Sequence, residues 1–235
     1  MKTPTYGLVG RGRLASHMAH YLGLEGHDVV VWHRDLKIGP EEHLRDTDVI
    51  LLAISDHAIG GFLDRHPDFG NHMVVHFSGA QIVEGAHGLH PLMTFGPELY
   101  PQETYRSIPF VTESGGAGFH DIFPGLQNPS WSIDPDDKPL YHALCVLAGN
   151  VTTILWAKAM GDFEHRLGLP GDILRPYLRQ SAVNSLDRGM GSLTGPFARG
   201  DRNTIDLDLE GLRGDPFREV YVALAKTFDP LEANT

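Results

Sequence analysis

The stretch Tyr6-Gly7-Leu8-Val9-Gly10-Arg11-Gly12-Arg13-Leu14-Ala15 decides how this chain is read. A short apolar run enters a glycine turn, and helix-compatible residues follow. The expectation is strand, tight turn, helix. Gly10 suits the sharp exit from the strand. Gly12 has no Cβ, so a pyrophosphate can approach the backbone, and Ala15 is small enough for the helix to pack on the sheet. The helix N-terminus then offers unpaired N–H groups and a positive dipole end to phosphates. The spacing is that of a dinucleotide-binding fingerprint with alanine at its third position.

Downstream residues extend this reading. A helix from Leu14 places Leu14, Met18 and Leu22 on one face and His17 and His20 on the other, toward solvent. Gly23 and Gly26 mark its end. Asp28-Val29-Val30-Val31-Trp32 reads as a buried second strand. Such strands commonly end in an acid that meets the adenosine ribose. Here His33-Arg34 stands at that point. An arginine can pair with a 2′-phosphate, which favours NADP over NAD. The alternative is a solvated Arg34, with Asp35 taking the ribose.

Only Asp35 to Thr47 separates this strand from Val49-Ile50-Leu51-Leu52-Ala53-Ile54. That span has room for a short edge strand near Leu36–Ile38 and a short helix from Pro40, but not for a full crossover. The expected fold is therefore α/β, a Rossmann-type doubly wound sheet trimmed after strand two. Ile54-Ser55-Asp56-His57 ends the third strand at the cofactor side. His72–Phe77 is a further strand leading into Ser78-Gly79-Ala80, and Gly88–Phe95 is a short strand and loop. Ile108–Thr112 reads as an edge strand, because Pro109 cannot donate to a ladder. Residues 113–136, rich in Gly, Pro, Asp and Ser, read as a boundary. The expected division is 1–130 for the dinucleotide-binding domain and 131–235 for an all-helical substrate and dimerisation domain. In the second part, Leu140–Met160 is apolar nearly all round. Asn150, Thr152 and Thr153 interrupt it, so a fully buried helix or dimer interface is expected rather than a membrane span. Further helical segments are expected near 163–168, 171–187, 204–212 and 215–227.

Bulk properties narrow the partners. The 235 residues carry 41% hydrophobic residues and a net charge of −11. That charge disfavours nucleic acid and anionic membranes. It also makes Arg11, Arg13 and Arg34 conspicuous around the expected phosphate site. The single cysteine, Cys145, suits a reducing cytoplasm and reads as a buried structural thiol. No secretory signal is expected, since the first strand starts close to Met1.

Several strings together resemble a family of bacterial Rossmann-like proteins whose C-terminal domain has no assigned function. They are the Gly10–Ala15 loop, His76-Phe77-Ser78-Gly79-Ala80, His90-Pro91-Leu92-Met93-Thr94-Phe95, Tyr141-His142-Ala143 with Gly149-Asn150, and Leu193-Thr194-Gly195-Pro196-Phe197-Ala198-Arg199-Gly200-Asp201. The chain departs from the family pattern at His76-Phe77, where a His-Thr pair is usual. The family is similar to pyrroline-carboxylate reductases, ketopantoate reductases, prephenate dehydrogenases and phosphogluconate dehydrogenases. That kinship implies a nicotinamide cofactor on the first domain, a helical second domain that closes the cleft, and dimerisation through that domain. It supplies no substrate.

The cofactor-binding candidates are Gly10, Arg11, Gly12, Arg13, Leu14, His33, Arg34, Ala53, Ile54, Ser55, Ser78 and Gly79. Reduction of a C=O or C=N bond also needs a proton donor and a group to hold the polarised atom. His142 and Asn150 fall eight residues apart on the long helix, on roughly one face. Ser78 and His90 follow strands at the cofactor edge. These four are the catalytic candidates, against the plainer readings of a turn cap for Ser78, a loop brace for His90 and a helix contact for Asn150. Arg199 and Asp201 either hold an anionic substrate or lock their loop by pairing with each other.

Fourteen histidines invite a metal reading, which their spacing disfavours. His72 and His76 on one strand would lie about 13 Å apart. His17 and His20 have no carboxylate in register, and His87 and His90 have no third ligand. No Ser occupies a Gly-x-Ser-x-Gly elbow. The expected function is an NADP-dependent oxidoreductase, cytoplasmic and homodimeric, with NAD as the second cofactor choice. The alternatives are a non-catalytic NAD(P)-binding sensor or scaffold, and a reductase whose electrons come from a deazaflavin.

Overall fold

A computed structural model describes residues 4–228. The chain forms two compact units, residues 1–153 and 154–235.

The first unit opens with β1 (Tyr6–Val9), α1 (Arg13–Leu24), β2 (Val29–Trp32), α2 (Pro40–His43), β3 (Val49–Leu52) and α3 (Asp56–Arg65). It continues with β4 (Met73–His76), β5 (His87–Pro91), α4 (Gln102–Arg106), β6 (Phe110–Glu113), α5 (Phe119–Ile122), β7 (Ser130–Ile133) and α6 (Lys138–Val146). The seven strands run in the order β2-β1-β3-β4-β5-β6-β7. All pairings are parallel except β5 with β6. The chain leaves β1 toward β2 and returns to β3 on the other side, so the topological switch lies at β1.

Side-chain alternation builds a core on each face of the sheet. Tyr6, Leu8, Leu51 and Val75 pack with Met18, Tyr21 and Leu22 of α1 and with Tyr105, Phe119 and Phe123. Val9, Ile50, Leu52 and Val74 pack on the other face with Leu44, Ile59, Phe62 and Phe69. Each such residue, fully buried, contributes about 1.5–3 kcal/mol.

The structure corrects several expectations. No strand forms at Leu36–Ile38; those residues are bends. The edge is β2 itself, which is only half-buried. The indole Nε1 of Trp32 donates to the Ile38 carbonyl at 2.9 Å and ties down the shortened loop. Strand β6 is interior, because Pro109 precedes the strand and leaves its ladder intact; β7 takes the outer edge. Residues 113–136 hold core rather than linker. Phe119, Ile122, Phe123 and Leu126 are buried there. Asn128 Nδ2 donates to the carbonyls of Tyr105 (2.8 Å) and Ile108 (3.0 Å). The sequence-based second domain is thus not all-helical from residue 131, since β7 crosses that point. His17 does not face solvent. It is buried, with Nε2 3.0 Å from the Gly96 carbonyl and Nδ1 2.7 Å from the Tyr105 hydroxyl. Apolar patterning of α1 could not reveal that loop 92–101 covers its other face.

The long helix runs without a break from Pro135 to His165. It contains α6, a five-residue π turn at Leu147–Val151 and α7 (Thr152–His165). By length and composition it could cross a membrane. It is not a buried helix in this chain: Leu140, Leu144, Leu147 and Ile154 are all more than half exposed. The second unit adds α8 (Arg175–Arg188), α9 (Gly195–Arg199), α10 (Arg202–Gly211) and α11 (Arg218–Thr227). Its stretch 195–201 is a short helix ending in a left-handed Gly200, with Asp201 capping α10 through the Thr204 N–H at 3.2 Å. Asp201 also accepts from the Thr204 hydroxyl at 2.8 Å, so its partner is the first turn of α10.

Candidate functional site

A cleft of about 790 Å³ opens along the C-terminal edge of β1, β2 and β3. Register places its floor: Val9 pairs with Trp32 and with Leu52, so Gly10, His33 and Ala53 are the next residues out on their strands. Ten of the twelve expected cofactor residues line it, namely Gly10, Arg11, Gly12, Arg13, Leu14, His33, Arg34, Ala53, Ile54 and Ser55. Ser78 and Gly79 do not. Trp32, His57, Phe62, Arg65 and His66 were missed and also line the cleft. They become accessible because the crossover after β2 is short. That loop length was the available signal.

The glycine turn behaves as its chemistry requires. Gly10 has φ +135, and a Cβ there would collide with the Ala53 carbonyl oxygen. A Cβ on Gly12 would meet nothing within 4 Å, so the cleft reaches its backbone. Gly12 caps α1 without a side-chain acceptor, leaving first-turn N–H groups without a side-chain partner. His33 Nδ1 is a buried nitrogen with no hydrogen-bond partner among the described residues, 3.8 Å from Asp35 Oδ2. Arg11 forms an ion pair with Asp35, joining the glycine loop to the end of β2. An anionic dinucleotide fits this set of donors.

A second constellation lies at the ends of β4 and β5. Register aligns His76 with Gly88, which carries His90 beyond the β4 end, beside Ser78 and Gly79. A Cβ on Gly79 would fall 2.9 Å from His142 Cδ2 and 3.1 Å from His90 Cδ2. His90 and His142 therefore meet there, with ring centroids 6.4 Å apart. The Ser78 hydroxyl donates to Asp56 Oδ2 at 2.6 Å and accepts from the N–H groups of Ala80 (3.3 Å) and Gln81 (3.1 Å). Its role in the structure is to shape the turn that presents Gly79. Asn150 lies exposed on the π turn and makes no hydrogen bond to Ser78, His90 or His142 among the described residues. The π turn changes the helical phase between 142 and 150, which spacing alone could not show.

Sequence reasoning also missed Tyr141, Glu113 and Lys138 as members of this constellation. The Tyr141 hydroxyl lies 2.7 Å from His90 Nδ1. Lys138 donates to Glu113 Oε1, and both side chains are nearly buried. His76 is sealed beneath; its Nδ1 accepts from the Ser78 N–H at 3.2 Å, while Nε2, 3.9 Å from Glu113 Oε1, has no hydrogen-bond partner among the described residues. Burial, followed by the Lys138 charge, lowers its pKa to about 4. His90 is likewise lowered to about 4, by burial first and then by His142 and Lys138. Burial raises the Tyr141 phenol far above its usual value.

The fold is a Rossmann-type, mostly parallel sheet continued by a helical C-terminal part. Residues 113–228 match DUF2520, described as a domain of unknown function. That match begins inside the sheet, at Glu113, and takes in Lys138, Tyr141 and His142. No curated protein matches the chain. Among solved structures, a Bacteroides fragilis protein provisionally described as an NADP oxidoreductase is 21% identical. It has a TM-score of 0.78, with 97% of this chain and 98% of that one covered. A Thermotoga maritima protein is 20% identical with a TM-score of 0.67, covering 95% and 96%. The NADP-bound pyrroline carboxylate reductase of Plasmodium falciparum is 13% identical with a TM-score of 0.58, covering 96% of both chains. At these identities the likeness is one of fold.

Proposed function

We propose that this protein is an NADP-dependent oxidoreductase. It moves a hydride between the nicotinamide and the carbon of a small-molecule C=O or C=N group, with a proton going to or from the heteroatom. The observation that carries this reading is the cleft, where the Gly10–Arg13 turn, the open backbone of Gly12 and Arg34 face one space. Similarity to reductases described with NADP supports it. Arg34 is the residue for the 2′-phosphate, and Arg65 from α3 adds a second positive charge to the same cleft. Asp35, the alternative ribose ligand, already pairs with Arg11, which favours NADP over NAD.

His90 and His142 face the substrate from the sheet edge and from α6. Ser78 acts through the turn it holds, and Asn150 has the weakest case of the four candidates. The chain works as a homodimer through its helical part, a reading supported by the exposed apolar residues of α6, α7 and α8. A cytoplasmic location accords with the lone, unpaired Cys145.

Calorimetric titration with NADPH and NADH tests the cofactor reading. Submillimolar NADPH binding, tighter than NADH, is expected, and absence of binding to either overturns it. NADPH oxidation against keto acids, imines and cyclic imines then tests the reaction class. His142→Asn should bind NADPH normally and lose about a hundredfold in turnover, the scale of one lost acid–base group.

A further inference from the structure

Helix α6 carries its polar groups in one stripe. Lys138, Tyr141, His142 and Cys145 stand at i, i+3, i+4 and i+7, and these positions are withdrawn from solvent while Leu140, Ala143 and Leu144 between them are exposed. The stripe meets the ends of β4, β5 and β6. Lys138 pairs with Glu113, Tyr141 bonds His90, and His142 lies against Gly79. A small cavity of about 10 Å³, lined by His90, Glu113, Lys138 and Tyr141, separates the two pairs.

We infer that His90 is a fixed, neutral hydrogen-bond donor, presenting Nε2–H to the polarised oxygen or nitrogen of the substrate, with Tyr141 as the positioning residue that locks its tautomer. The inference rests on the oxidoreductase reading above and divides the labour between its two histidines. His142 handles the proton, and His90 holds the heteroatom.

The direction of the Tyr141–His90 bond follows from donor and acceptor strength. A phenol O–H is a strong donor and its oxygen a poor acceptor, whereas an imidazole lone pair is a strong acceptor. The Tyr141 hydroxyl also meets Cys145, a weaker acceptor than an imidazole lone pair. Tyr141 therefore donates to Nδ1, and the hydrogen bond at one ring nitrogen places the ring proton on the other. His90 Nε2 makes no protein hydrogen bond among the described residues and is not one of the sealed, orphaned nitrogens. It lies 3.2 Å from where a Cβ of residue 79 would sit, so glycine at 79 keeps this ring edge clear.

The charged and titratable groups facing His90 are His142, Lys138, Asp56 and Tyr141. Burial, His142 and Lys138 disfavour a proton on the ring, and Asp56 opposes them. A ring that stays neutral near pH 7 serves as a donor that does not switch with pH. The Lys138–Glu113 pair below holds α6 in register, because an unpaired buried charge at either position would be costly.

Nitrogen-15 histidine spectra of the full chain, recorded from pH 5.5 to 8.5, test this without a substrate. His90→Asn identifies the resonances. The expected result is an Nε2–H tautomer at His90, with Nδ1 accepting a hydrogen bond and no titration in that range. In Tyr141→Phe the His90 tautomers should mix, while the NADPH dissociation constant stays within about twofold. A His90 that titrates between pH 6 and 7.5, or that carries its proton on Nδ1, overturns the inference. If Tyr141→Phe does not fold, the wild-type spectrum still decides. Loss of the cofactor reading would show as absent NADPH binding, a separate measurement from these spectra.

Discussion

The two units handle apolar surface in opposite ways. The first buries it on both faces of a sheet, with Tyr6, Leu8, Ile50, Leu51 and Phe110 fully enclosed. In the second, Ile205 is the single buried hydrophobic residue among those described, while Leu167, Ile173, Tyr177, Leu186 and Met190 are more than half exposed. A sheet with helices on both faces seals itself. A helical array with a shallow core relies on further surface to cover its apolar side chains, and our dimer proposal supplies that surface. The ion pairs differ in how far their cations are withdrawn from solvent, with Lys138 4% exposed in the first unit and Lys158 24% exposed in the second. The first unit encloses Lys138, Glu113 and His76. The second gathers Lys158, Asp162 and Arg166, each partly exposed, around Asp215, whose side chain is 8% exposed, with Lys158 also over the Phe217 ring.

The sharpest test of this contrast is Glu113→Ala. It leaves Lys138, 4% exposed, without its partner. The expected loss is about 3–5 kcal/mol in chemical denaturation, the scale for breaking a buried pair. A loss below about 1 kcal/mol would mean the pair is solvated like the exposed Arg213–Glu210 pair of the second unit. Replacing both partners with apolar residues should recover most of the stability.

Acid should strike the first unit before the second. His76 and His90 have folded pKa values near 4, against about 6.5 unfolded. Between those values the unfolded chain binds more protons, so stability is complete above about pH 6.5 and falls as the pH drops toward 4. Each histidine accounts for about 3 kcal/mol across that window. The carboxylates Asp162 and Asp215 are lowered chiefly by hydrogen bonds from Lys158. Their contribution is present above about 3.8 and is lost only as the pH falls through their lower folded values. Denaturation followed at several pH values should therefore show the first unit weakening between 6.5 and 4. Flat stability over that window would refute the buried, neutral state of these histidines.

Arg34→Ala should weaken NADPH about ten- to a hundredfold, the equivalent of a lost charge-assisted contact of about 1.5–3 kcal/mol, and leave NADH nearly unchanged. Equal loss for both cofactors would assign Arg34 to another part of the dinucleotide. The smallest effect on the fold is expected from Leu186→Glu. Leu186 is 87% exposed, so the change should alter monomer stability by no more than about 0.5 kcal/mol. It should nonetheless convert the proposed dimer to monomer in light scattering. An unaffected dimer would place the interface away from α8.

How legible each region was in the sequence depends on the range of the forces that shape it. The glycine turn was readable because Gly10, Gly12 and Ala15 answer local demands of backbone conformation and close approach. The cleft residues from Gly10 to Ser55 followed from strand ends, which apolar runs mark well. Pro109 misled because a strand edge is defined by a neighbour in space, and β7 lies in the Gly- and Pro-rich stretch that composition assigns to a boundary. The Glu113–Lys138 pair joins residues 25 apart on a strand and a helix, and no local pattern announces it.

The sequence by itself therefore determined the class of fold, the glycine turn after β1, the trimmed crossover and the histidines near the sheet edge. Each is written in short-range periodicity, glycine placement or loop length. Tertiary structure alone decided that Tyr141 meets His90, that Ser78 serves its turn, that Asn150 stands apart and that His17 is enclosed. Those outcomes depend on which surfaces come together, and burial is a property of the assembled chain rather than of any one stretch.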